Sequence, residues 1–199
     1  LPSAKAFRNS TMRHLLVGLA AFLLTACASV SSDYRFLDDK PVGLATGSIT
    51  FESAIGQYVL VARGVADGKQ FRFRVGDSVW SPFSRWFDPD LDSRGGTYAV
   101  ELSVGRYQLI RWEVLQGSRR TVSTQPIGVT FYIEQGKATY LGNLHFDQHW
   151  LVSLRDRASR DLPVVKERIP ALHGAPMEVV LDKGAEIKGV GGPYLSGLW

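Results

Sequence analysis

The sequence predicts a mainly β chain: an antiparallel β-sandwich with one short C-terminal helix, preceded by a signal-peptide helix. Three observations carry this. Between residues 48 and 155 several short runs alternate apolar and polar side chains with a period of two, the pattern of strands with one buried face. Gly, Asp-Gly and Gly-Lys turns separate these runs at even intervals, as in a sandwich. Near the N-terminus, an apolar run from Leu15 to Leu24 has about half the length that a bilayer-spanning helix needs.

That run belongs to a leader over residues 12–26. Met12-Arg13-His14 gives a short positive start, LLVGLAAFLL follows, and small residues lead to a cleavage point before Cys27. Residues 1–11 are read as an upstream extension, with Met12 as the initiator. Leu24-Thr25-Ala26-Cys27 resembles the lipobox of bacterial lipoproteins. The resemblance implies a diacylglyceryl group on the Cys27 sulfur and an acyl group on its amine, and two or more chains hold a protein on a bilayer stably. It further implies the periplasmic face of the outer membrane, because Ala28 and Ser29 follow the cysteine where an Asp would favour the inner membrane.

Residues 27–46 read as the lipidated cysteine and a polar tether, and residues 47–199 as the sandwich domain with a loose tail. Strands are expected at 48–53, at 58–63 and at Gln70–Val75. In the last, Phe71, Phe73 and Val75 share one face while Arg72 and Arg74 share the other. Residues 76–96, rich in Gly, Pro, Asp and aromatics, read as one long loop of the kind that carries function or packs on itself. Further strands are expected at 97–104, 107–115, 129–134, Ala138–Phe146 and 150–155. A helix then starts at an Asp161 cap, takes Pro163 in its first turn and stops before Pro170. The Gly-rich C-terminus is expected to be loose apart from docking by Tyr194, Leu198 or Trp199.

Composition narrows the function classes. Of 23 basic groups, Lys5, Arg8 and Arg13 fall in the acid-free residues 1–27, so the remainder nearly balances the 19 acidic ones. With no basic block, nucleic acid is set aside as a partner. Cys27 is the single cysteine. An internal disulfide, a thiolate zinc site and cysteine catalysis are therefore excluded.

Two hairpins carry a second resemblance: Leu102-Ser103-Val104-Gly105-Arg106-Tyr107, and the run from Phe131 through Gly136-Lys137 to Tyr140-Leu141-Gly142-Asn143-Leu144. They resemble small uncharacterised bacterial lipoproteins, and transthyretin-like or carboxypeptidase-regulatory-like β-sandwich modules. The match covers about a third of the chain. It implies a sandwich fold and brings no catalytic residue.

Two candidate sites remain. The loop aromatics Trp80, Phe83, Trp86 and Phe87, with Arg85, are residue types that anchor partners or stack on sugars; the competing reading closes them over one end of the sandwich. His145-x-Asp147-x-His149, if all on one strand, would present imidazole and carboxylate to a metal from one face; the competing reading makes them a face opposite Leu144 and Phe146. Asp88, Asp90 and Asp92 lack the Gly and Glu of a calcium loop and read as a surface turn. The expected function is a non-enzymatic binding or assembly module of the envelope, with an envelope protein or peptidoglycan as partner and no cofactor beyond the lipid. The alternative is a periplasmic metal- or small-ligand-binding lipoprotein using His145, Asp147 and His149.

Overall fold

The computed structural model describes residues 29–52, 56–76 and 87–198. The leader, Cys27, Trp80, Phe83, Arg85 and Trp86 lie outside the described residues, and Phe87 is described by its backbone alone. In chain order come β1 (Val42–Phe51), β2 (Gln57–Gly64), β3 (Gln70–Val75), β4 (Phe87–Asp88), β5 (Ser93–Ser103), β6 (Gly105–Gln116), β7 (Arg119–Ser123), β8 (Thr130–Ile133), β9 (Ala138–Phe146), β10 (Val152–Arg155), α1 (Ala158–Arg168), β11 (Met177–Val179), β12 (Glu186–Lys188) and β13 (Tyr194–Leu198).

They form two sheets. Sheet A runs β12-β10-β9-β1-β5-β4, with β11 also on β9; sheet B runs β13-β7-β6-β2-β3, with β8 also on β6. The sandwich is as expected in class, but sheet A is mixed: β1 and β9 run parallel, as do β9 and β11. The β1–β9 register slips between Thr46 and Ser48, opposite Leu141 and Gly142. Gly142 takes φ +101°, and a Cβ there would meet Leu181, Leu154 and the Arg155 carbonyl, so the bulge requires glycine.

Inward residues of both sheets make one core. Phe73 stacks on Tyr98 at 5.0 Å and Phe51 on Tyr58 at 4.3 Å, while Trp112 and Tyr58 meet Phe146 edge-on. Each fully buried side chain of this size contributes about 1.5–3 kcal/mol, and these aromatic pairs join strands of opposite sheets.

A further layer lies on the outer face of sheet A. There Val165, Ile169 and Leu172 pack with Leu44, Ala99 and Ala138. The expected tether takes part in it: Val30, Tyr34 and Phe36 dock on the same cluster, the Val30 amide donates to the Ala99 carbonyl at 2.8 Å, and residues 42–46 already belong to β1. Apolar residues in a polar stretch found a surface to cover.

Other expectations change similarly. The second half of the 76–96 loop is ordered as β4, a 3-10 turn at Pro89–Leu91 with Leu91 buried, and the start of β5. Asp161 does not cap α1; it sits in the first turn, fully buried, while Asp156 accepts from the Ala158 amide at 3.0 Å. The expected loose tail pairs as β13 with β7, and Tyr194 lies beside Trp112 and Trp150. Leu198 stays exposed, and Trp199 is outside the described residues.

Candidate functional site

The outer face of sheet B follows from alternation along its strands. Tyr58, Leu60 and Ala62 of β2, with Phe73 and Val75 of β3, go to the core. Their neighbours Val59, Val61, Arg63, Arg72 and Arg74 therefore face out. Across the sheet, Val61 sits between Arg72 and Arg111, and Val59 between Arg74 and Glu113. On the far side of β6, Arg120 of β7 pairs with Leu115.

At the centre is Glu113, fully buried. Arg72 grips its carboxylate with both terminal nitrogens, at 2.6 and 3.3 Å; Arg111 Nε reaches it at 2.7 Å and Arg120 at 3.1 Å. Burial works to raise the Glu113 pKa, but the hydrogen bond from Arg111, the charge and hydrogen bonds of Arg72 and the hydrogen bond from Arg120 outweigh it. The group is held below the ordinary carboxylate value. One carboxylate answers three guanidiniums, and Arg63 and Arg74 stand exposed on the same face. The local excess is therefore strongly positive. Planar guanidiniums present forked donors suited to carboxylates and phosphates.

A second polar constellation lies beneath α1, on the outer face of sheet A. Asp161 accepts from Ser48 and Tyr140, each at 2.5 Å, and from Arg160 at 2.8 Å. Asn143 Nδ2 donates to Ser48 Oγ at 2.7 Å and to Thr50 Oγ1 at 3.1 Å. Thr50 Oγ1 then meets His145 Nδ1 at 2.9 Å, and His145 Nε2 lies 3.4 Å from Glu52. Thr50 Oγ1 also donates to Asn143 Oδ1 at 3.2 Å, which ties the amide, the hydroxyl and the ring into one chain of contacts. Burial, then the Arg155 charge, lower the His145 pKa against the opposing pull of Glu52 and Asp147. Burial foremost, then the Asp161 charge, raise those of Tyr98 and Tyr140.

The three residues singled out as possible metal ligands do not share a strand face. β9 ends at Phe146, and Asp147 clasps the following turn by accepting from the backbone amides of His149 and Leu151, both at 2.8 Å. Trp150 completes that turn at φ +63°. His145 is buried with its ring nitrogens beside Thr50 and Glu52, whereas His149 is exposed next to Gln148. Period-two spacing places residues together only while the strand lasts. Among the described residues, no group of three or more His, Cys, Asp or Glu is gathered as a metal would need. The partner-loop candidates Trp80, Phe83, Arg85 and Trp86, and the side chain of Phe87, lie outside the described residues.

Glu113 and Arg111 were not picked out from sequence, although a signal existed. In Arg111-Trp112-Glu113-Val114 the two charges are two apart on a strand whose other face is apolar, so they must lie side by side.

Fold and site together define a mixed β-sandwich with an arginine-rich outer face. No protein-family model and no curated protein matches the chain. A leucine-rich repeat protein from Bacteroides thetaiotaomicron is similar over 56% of this chain, at 17% identity and a TM-score of 0.34. The chain spans 15% of that protein's length, and a likeness at this level carries no argument about either fold or role.

Proposed function

We propose that this chain is a lipoprotein of the bacterial envelope, anchored through Cys27 on the periplasmic face of the outer membrane. Its sandwich acts there as a non-enzymatic binding module for an acidic segment of another envelope protein. The observation that carries the binding role is the outer face of sheet B, where Arg72, Arg111 and Arg120 surround the buried carboxylate of Glu113 and Arg63 and Arg74 stand exposed on the same face. Glu113 fixes three of the guanidiniums in place, so little side-chain freedom is lost when a carboxylate-bearing partner docks. The exposed Arg63 and Arg74 then set its charge preference.

Photo-crosslinking in intact envelopes tests this. With the crosslinking residue at Val122, in register with Glu113, one discrete acidic protein is captured, and the double reversal Arg63→Glu/Arg74→Glu abolishes capture. If capture survives the reversal but is lost with Arg85→Ala/Trp86→Ala, the contact belongs to the 76–96 loop. If murein fragments are captured instead, the partner is peptidoglycan and the acidic-protein assignment fails.

A further inference from the structure

Residues 30–36, close in sequence to Cys27, lie docked on the sandwich. The Val30 amide donates to the Ala99 carbonyl of β5 at 2.8 Å. Val30, Tyr34 and Phe36 pack on the cluster of Leu44, Ala99, Val165 and Ile169. The Tyr34 hydroxyl donates to Glu101, two residues further along β5, at 2.9 Å. The segment is thus pinned along β5, beside α1, on the outer face of sheet A.

Only three peptide units separate Val30 from Cys27, and fully extended they reach about 10 Å. The anchor point therefore lies within about 10 Å of Val30. The outer face of sheet B is beyond that reach, across a core of about 10 Å between sheets with its own side chains added. Arg168 donates to Thr97 Oγ1 at 3.0 Å, one alternate residue from Ala99 on β5, so the C-terminal end of α1 stands next to the point where the chain leaves.

Basic and acidic side chains are mixed on this side, so the short reach of the chain, rather than net charge, sets which face meets the bilayer. Arg160 and Asp161 neutralise each other at 2.8 Å. On α1 Arg157 and Lys166 stand against Glu167, with Arg168 turned to Thr97; Asp156 precedes the helix, Asp90 lies on the 3-10 turn packed against it, and Arg35 offsets Asp33 on the docked segment.

We propose that the domain does not swing on a leash but lies on the bilayer by the α1 side of sheet A, with Arg157 and Lys166 at the headgroups. This rests on the lipidation of Cys27 proposed above. The occupant of this face is the lipid surface itself, and the arginine face of sheet B is thereby turned away from it.

Because Cys27 is the single cysteine and would be lipidated, an introduced thiol carries a label at one place. Full-length protein bearing Ser159→Cys on α1, or Gln70→Cys on the outer face of sheet B, is labelled with a fluorophore. Each is reconstituted in phosphatidylethanolamine–phosphatidylglycerol vesicles with a headgroup-linked quencher. Several-fold stronger quenching at position 159 than at 70 is expected. Equal quenching, or stronger quenching at 70, overturns the orientation.

The mass of the Cys27 peptide, read on the same samples, separates the two claims. An unmodified peptide removes the anchor and the orientation with it, whereas a lipidated one with equal quenching removes the orientation alone. Two further variants test the cause. A flexible Gly-Ser linker inserted between Ser29 and Val30 should erase the difference between the two positions, and a persisting difference overturns the short leash as its origin. Arg157→Glu/Lys166→Glu should reduce quenching at 159 in these vesicles; unchanged quenching overturns the headgroup contact.

Discussion

Glu113 shows how one buried charge organises a surface. Its carboxylate takes hydrogen bonds from Arg111, Arg72 and Arg120, with the bidentate grip of Arg72 the most directional. Glu113→Ala leaves three guanidiniums crowded without an anion and is expected to cost about 3 kcal/mol at neutral pH, measured by urea unfolding. A loss well under 1 kcal/mol would reduce the cluster to an ordinary surface ion pair. The pH dependence has two separable limbs. A carboxylate whose folded pKa is depressed stabilises the fold above its ordinary value, near 4.5, and that contribution is lost as pH falls through the folded pKa. His145 is also depressed, chiefly by burial, so its limb begins higher: below about 6.5 the unfolded chain takes up the proton first and stability falls with pH. As pH falls below about 6.5 the wild type should lose stability through this group, at no more than about 1.4 kcal/mol per pH unit. His145→Gln should flatten that stretch and leave the lower limb in place. A slope unchanged by His145→Gln would show that the ring takes up its proton as readily in the fold as in the unfolded chain.

At the level of elements, legibility in the sequence tracks how each strand is buried. β3 and β9 fall where the alternation puts them, because Phe71-Arg72-Phe73-Arg74-Val75 has one wet face and Ala138–Phe146 has a dense apolar run. β1 begins six residues earlier than its pattern suggests. It is covered on both faces, so Gly43, Thr46 and Gly47 are buried without alternating, and a Cβ at Gly43 would strike the Glu134 carbonyl. β7 and β13 escape the pattern for different reasons: Arg119-Arg120 reads simply as a solvated charged face, and Tyr194–Leu198 is an exposed edge that gains its order from pairing. The polar network under α1 was hidden because no local pattern links Ser48, Asn143 and Asp161. The docked segment at 29–36 is the element whose order matters most. Its Val30 amide, bonded to Ala99, should exchange with solvent as slowly as the neighbouring β5 amides. Val30→Asp with Tyr34→Ala and Phe36→Ala should bring that exchange close to the rate of an open chain while the core strands stay protected. Fast exchange at Val30 in the wild type would mean that the segment is a free tether after all.

For the whole molecule, the membrane and partner contacts proposed above would rest on different physics, and ionic strength tells them apart. Attachment through two or more acyl chains is apolar and is not weakened by salt. The proposed binding at the arginine face would be electrostatic between partly exposed groups, and the Debye length shrinks from about 8 Å at physiological ionic strength to about 3 Å at 1 M. Raising salt on isolated envelopes should therefore release the acidic partner from Arg63 and Arg74 while this chain stays with the membrane fraction. Cys27→Ser should reverse the pattern, freeing the chain from the membrane at any salt while leaving its low-salt affinity for the partner intact. Release of the wild-type chain by salt alone would show that its basic residues hold it to the envelope. A partner that resists high salt would place the interface on apolar groups, and the aromatic loop would then be the first place to look.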